Sequence, residues 1–177
     1  LKPGGRYEYD IVLPDGRIEG CTLGILGKVH IENSVAAVAM LWAAAAIEGK
    51  SLDKEAVRSA LASFEGVKRR MEVYVNTPKH VYIDDYAHHP EELRATIESL
   101  RGIFPGPHLT AVIQPHLYSR TRDLAPEFAE ALSLADDVVL VPIYPAREEP
   151  IEGVCSEMIG AMLTVEWSLA EREELVA

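Results

Sequence analysis

Cysteine is scarce: Cys21 and Cys155 are the only two in 177 residues, far apart and in no metal or redox spacing. That excludes a disulfide framework and a thiolate zinc site, and it fits two reduced thiols in a reducing compartment. Cations are also few. There are 17 Lys and Arg against 28 Asp and Glu, a formal net charge of −11. Such a surface repels phosphate over most of its area, which argues against a nucleic-acid or membrane-surface partner. Long hydrophobic runs are lacking too. The longest, residues 35–47, is Ala-rich and too short to span a bilayer, so it reads as a buried helix. The opening Leu1-Lys2-Pro3-Gly4-Gly5 has neither the basic stretch nor the apolar core of a signal peptide, nor an initiator Met. The expectation is a piece trimmed at both ends from a longer cytoplasmic protein.

What is present is ordinary globular material. Hydrophobic residues make up 48% and charged residues 25%, enough to bury a core without staples. The length suits one domain, or one and part of another. Residues 7–13 alternate apolar and polar, Pro14-Asp15-Gly16 turns the chain, and residues 17–23 resume the alternation, which predicts a β-hairpin. A strongly apolar helix is predicted from Asn33 to about Glu48, stopped by Gly49 in the left-handed position beyond its end. A second helix follows, capped by Ser51 or Asp53 and ending near Phe64. Gly66-Val67-Lys68-Arg69-Arg70 reads as a cationic linker.

Beyond residue 65 the pattern changes. Strands are predicted at 71–75, 80–84, 109–114 and 138–142, and helices at 91–101, 124–134 and about 156–163; the segment from Thr164 on holds a further strand. This alternation predicts an α/β fold, a Rossmann-like, mostly parallel sheet with flanking helices over residues 65–177, preceded by a separate piece in residues 1–64. In such sheets ligands bind beyond the carboxyl ends of the strands. Three predicted strand ends open into loops dense in functional side chains: Asp84-Asp85-Tyr86-Ala87-His88-His89-Pro90, then Gln114-Pro115-His116-Leu117-Tyr118-Ser119-Arg120-Thr121-Arg122-Asp123, then the loop from Ile143 to Pro150. All three are expected on one sheet edge.

Blander readings stand beside these. Asp84, Asp85, His88 and His89 are metal-ligand types, but neighbours on extended chain point to opposite sides, so no metal site is expected. Asp85 suits a cap, Arg120 and Arg122 suit a solvated surface, and Cys155 suits a structural thiol. Gly24-Ile25-Leu26-Gly27-Lys28-Val29 imitates a phosphate-binding loop, but Thr22 stands where the first glycine belongs and Val29 replaces the Mg²⁺-binding hydroxyl.

Asn33-Ser34-Val35-Ala36-Ala37, Phe64-Glu65-Gly66-Val67-Lys68-Arg69-Arg70 and the three loops, with Gly153 after the last, together give the chain a pattern that resembles the Mur ligase family of peptidoglycan synthesis. Within that family the resemblance of the second loop, Gln114-Pro115-His116 through Ser119-Arg120-Thr121-Arg122-Asp123, points to the branch that joins L-alanine to UDP-N-acetylmuramate. The resemblance implies an ATP- and Mg²⁺-dependent ligase forming an amide through an acyl phosphate. It implies that residues 1–64 end a central ATP-binding domain, that 65–177 form most of the C-terminal domain, and that the phosphate loop, Mg²⁺ ligands and UDP-sugar site lie upstream. The piece alone is then expected to be inactive and to hold no ATP or Mg²⁺. It implies ATP contacts from Asn33, Arg70 and Asp85, and acceptor L-alanine contacts from His88, His116 and Arg120, with Tyr86, His89 and Arg122 in support. Two positions depart from the family pattern: His30 where relatives often have asparagine, and Leu117 where many have arginine. Two other readings are a muropeptide-recycling ligase that attaches a tripeptide, and a nucleotide-binding or metal-dependent phosphohydrolase module built on Asp84, Asp85, His88 and His89.

Overall fold

The hairpin and the α/β alternation read from the sequence both appear in the computed structural model, which describes residues 6–176. The chain divides into two compact units, Leu1–Tyr86 and Ala87–Ala177.

In the first unit, β1 (Glu8–Leu13) and β2 (Gly16–Thr22) pair antiparallel. Their inward residues Ile11, Leu13, Ile18 and Cys21 form a core with Val38 and Val57. Helix α1 (Val29–Ile47) follows, ended by Gly49 at φ +68°, a conformation that glycine adopts without steric cost. Helix α2 (Lys54–Ser63) is capped by Asp53, whose carboxylate accepts from the amides of Glu55 and Ala56 at 3.0 Å.

Helix α1 corrects one expectation. It starts at Val29, not Asn33, and its 19 residues make it long and apolar enough in composition to cross a membrane, where the run 35–47 was not. Ser34 and Val38 are its buried residues, while Met40, Leu41 and Ile47 stand exposed.

The unit closes with β3 (Glu72–Asn76) and β4 (Val81–Asp84), which pair with each other, antiparallel. This is a second correction. Residues 80–84 were expected in the parallel sheet, but the link from β3 is a tight turn in which Thr77 N donates to His80 O at 2.9 Å. A connection that short permits only antiparallel neighbours, since a parallel pair needs a crossover of a dozen residues or more.

The second unit holds the parallel sheet, in the order β5 (Thr110–Ile113), β6 (Asp137–Leu140), β7 (Glu166–Leu169). Helices α3 (Pro90–Ile103), α4 (Tyr118–Leu132) and the short α5 (Glu157–Gly160) flank it. Phe128, Leu132, Val138, Leu140 and Ile159 make the centre of its core. A 3₁₀ turn, Arg172–Val176, follows β7.

At the amino ends of β5 and β6, Asp136 accepts from Arg101 Nη1 at 2.9 Å and from Leu109 N at 2.7 Å. Arg101, with the Leu109 amide next, holds this carboxyl down at about 2, against an ordinary 3.8. A carboxyl depressed on folding stabilises above its unfolded pKa and loses that contribution as pH falls toward the folded value. The melting temperature of the chain is therefore expected to fall between about pH 4 and pH 2, and Asp136→Asn is expected to flatten this segment while lowering stability at neutral pH. An unchanged acid limb in that variant would assign the loss to other carboxylates.

Candidate functional site

The second unit gathers its chemistry where β5 and β6 end. Beyond the strands the ladder continues by one parallel bridge, His116 to Tyr144. Tyr144 N donates to Pro115 O at 2.8 Å and Leu117 N to Tyr144 O at 3.0 Å. The bridge sets the two rings side by side, with centroids 5.5 Å apart and planes tilted by 32°. His88, just before α3, meets the same imidazole edge-on with centroids 6.4 Å apart.

Arg120, in the first turn of α4 and four residues after His116, donates through Nη1 to the His88 carbonyl at 3.3 Å. The structure thus brings together His88, His116 and Arg120, and adds Tyr144, which the sequence showed only as a member of the third loop. The chemistry available is a planar cationic fork that can grip a carboxylate, two imidazoles and a phenol ring.

The start of α4 explains the grouping and corrects a boundary. Helix was expected from Leu124, yet it begins at Tyr118, and Leu124 (φ −122°, ψ 17°) breaks it where Pro126 would otherwise crowd the carbonyl four residues back. Arg120 and Arg122 are therefore helical, not loop residues. Leu117, at the N-cap position, has no side-chain acceptor to give. Glu148, from the loop after β6, accepts from Ser119 N at 2.9 Å and from the Ser119 hydroxyl. Those bonds from Ser119 hold the Glu148 carboxyl below its usual range. Leu117 itself sits at φ +76°, a strained setting for a leucine.

Two sequence candidates, His89 and Arg122, take other places. His89 is the exposed N-cap of α3, where Glu92 Oε2 accepts from its amide at 3.1 Å and from that of His88 at 3.0 Å. Arg122 is tied to Asp123 at 2.7 Å. Cys155 is exposed, and desolvation, then Glu157, pushes its thiol up.

The first unit holds the other set. Asn33 and His30 line an apolar cavity of about 340 Å³ with Leu23, Ile25, Leu41 and Phe64. His30 Nε2 is buried without a hydrogen-bond partner. Burial pushes its pKa down; Asp85 opposes that and Arg70 adds to it. Asp85 Oδ2 accepts from Met71 N at 2.8 Å, and Met71 and Arg69 both have positive φ, at 51° and 58°. Arg69 and Arg70 lie over the Tyr86 ring, with guanidinium carbons 4.9 and 5.7 Å from its centroid. Asn33, Arg70, Asp85 and Tyr86 thus all belong to this unit. Apolar walls with one amide and one buried imidazole nitrogen in want of a partner fit a flat heterocycle. Among the described residues no group of three or more His, Cys, Asp or Glu is placed to hold a metal ion.

Comparison with known proteins agrees with the fold. Residues 69–177 match the Mur ligase, glutamate ligase domain family. The chain is 44% identical over 173 residues to the UDP-N-acetylmuramate–L-alanine ligase of Parabacteroides distasonis, across 97% of the chain and 36% of that protein. It is 47% identical over 155 residues to the ligase of the same name from Porphyromonas gingivalis, across 88% of the chain and 33% of that protein. Among solved structures it is similar to the UDP-N-acetylmuramate–alanine ligase of Thermotoga maritima, with a TM-score of 0.69 and 25% identity over 97% of the chain and 38% of that structure. A likeness of fold alone extends to folylpolyglutamate synthase of Mycobacterium tuberculosis complexed with ADP, with a TM-score of 0.68 and 23% identity over 88% of the chain and 33% of that structure. The chain spans about a third of the length of the curated relatives it matches.

Proposed function

Because the chain belongs to the Mur ligase family, we propose that it is the acceptor-side portion of a cytoplasmic ATP-dependent ligase that adds L-alanine to UDP-N-acetylmuramate. In this reading residues 1–64 end the central ATP-binding domain and 65–177 form the C-terminal domain. The muramate carboxylate takes the γ-phosphoryl group of ATP and ADP leaves, giving an acyl phosphate; Mg²⁺, held elsewhere in the ligase, would neutralise phosphate charge. The amine of alanine then attacks the acyl carbon, the C–N bond forms, and phosphate leaves with the electrons of the C–O bond. The phosphate loop and Mg²⁺ ligands belong to the rest of the ligase, so this portion alone is inactive.

The residues here bind and orient. Asn33, with His30 beside it, meets the adenine. Arg70 and Asp85 hold the ribose and the phosphate end, a carboxylate being a strong acceptor for hydroxyls. Arg120 grips the carboxylate of alanine, with His88 and His116 lining the rest of the pocket. Holding the amine in line with the acyl carbon is the contribution to rate.

The observation that carries this reading is the gathering of His88, His116 and Arg120 around one bridge at the sheet's carboxyl edge, beside relatives that bear the alanine-ligase name. The test is product formation by the full-length ligase with UDP-N-acetylmuramate, ATP, Mg²⁺ and either L-alanine or the L-alanyl-D-glutamyl-diaminopimelate tripeptide. Turnover with alanine supports the reading. Turnover with the tripeptide alone replaces it with the recycling ligase, and turnover by the 177-residue chain alone overturns its inactivity.

A further inference from the structure

His116 is a half-buried imidazole whose Nδ1 is closed off from solvent and has no hydrogen-bond partner. Of the two ring nitrogens only Nδ1 is so placed, so Nε2 is the nitrogen left to a polar ligand. Four groups face the ring from three places: Arg120 on α4, His88 before α3, and Tyr144 and Glu148 after β6. Two can carry positive charge and one is negative. The negative one, Glu148, already receives the amide and hydroxyl of Ser119 at the start of α4.

A charged imidazolium needs acceptors for two N–H groups, and here one of them would be sealed in without any. Burial, then Arg120, then His88 push the His116 pKa below its ordinary 6.5, with Glu148 opposing them. The uncharged ring has two tautomers. A proton on Nδ1 would leave a buried donor unmet, whereas a proton on Nε2 leaves only an unmet acceptor, the more commonly tolerated defect.

We infer that His116 is held as the uncharged tautomer with its proton on Nε2, and serves the acceptor amino acid as a neutral hydrogen-bond donor to its carboxylate, not as a base for its amine. The inference rests on the acceptor-site reading above. It assigns two dissimilar donors to one carboxylate. Arg120 brings the charge, and His116 brings a directional bond without adding a second cation. An uncharged donor also leaves the incoming ammonium unrepelled. Leu117, standing next to it, adds none of the charge that an arginine would.

Glutamine can place an amide N–H about where Nε2–H lies, and asparagine reaches only as far as Nδ1. In the full-length ligase, His116→Gln is therefore expected to keep the KM for alanine within about tenfold of wild type. His116→Asn is expected to raise it by roughly 10- to 100-fold, the range of a lost hydrogen bond to a charged group. In both, kcat should move less than KM and keep the wild-type pH profile. Histidine-selective ¹⁵N NMR of the same protein at neutral pH should show His116 uncharged and protonated on Nε2. A proton on Nδ1, an imidazolium at neutral pH, equal behaviour of the two variants, or a kcat pH limb that vanishes in them would each overturn the inference. Absence of alanine turnover in the wild type would instead strike the proposed function, which the nitrogen spectrum does not test.

Discussion

Replacing Arg120 by alanine in the full-length ligase is expected to raise the KM for alanine roughly 30- to 140-fold while kcat stays within a few-fold, the effect of losing about 2–3 kcal/mol of charge-assisted bonding. The size follows from chemistry and placement. A guanidinium offers a carboxylate two parallel donors in fixed geometry, and among the described residues its one hydrogen bond is a long one, 3.3 Å to the His88 carbonyl. The remaining donors are left for a ligand. Binding of the whole substrate, in ground and transition state alike, would suffer, so KM should move and kcat should not. Arg120→Lys keeps the charge and loses the fork, and should fall between wild type and alanine. The melting temperature should hardly change, because the side chain anchors little. If KM for alanine stayed at its wild-type value, the carboxylate would be held elsewhere. If kcat collapsed with KM intact, Arg120 would be acting on the reacting atoms.

The sequence carried the elements whose signals are local. Gly49 and Asp53 mark the end of one helix and the start of the next within a few residues of the structure's boundaries, because a left-handed stop and an N-cap act on their immediate neighbours. The loops after β5 and β6 were legible as site loops because the apolar β-branched runs before them fix where the strands end. What escaped depends on distant partners. The N-terminus of α4 shows no cap in its own sequence, Leu117 being unable to supply one, and the acceptor comes from Glu148 29 residues on. The pairing of β3 with β4 was missed because the apolar run of β4 looks the same in a hairpin as in a buried parallel sheet; the short turn at Thr77 was the available clue. Tyr144 was visible as a residue but not as the neighbour of His116, since only the parallel bridge joins them. The protonation of His116 was likewise hidden, for it is set by burial and by groups on three other segments.

Gly24 shows how the same residue misleads as a motif and is indispensable as packing. It opens the stretch that imitates a phosphate loop, yet its amide donates to Leu61 O at 3.1 Å, and a Cβ built on it would lie 2.2 Å from Phe64 O and 2.9 Å from Ala62 O. Both obstacles are backbone at the end of α2, so no rotamer change relieves them. Gly24→Ala can be accommodated only by moving that end of the helix off the strand pair, which pulls Val57 and Leu61 from the core built on Ile11 and Ile18. Overpacking of this kind costs about 1–3 kcal/mol, and more where backbone must shift, so about 3 kcal/mol is expected. Urea unfolding of the chain should show a clear drop in midpoint. Gly102→Ala is the matched control: it lies inside α3 with nothing within 4 Å of its added methyl, and should raise stability by up to about 1 kcal/mol through helix propensity. A wild-type midpoint for Gly24→Ala would mean that α2 shifts freely, and the close approach would then not be what requires glycine there.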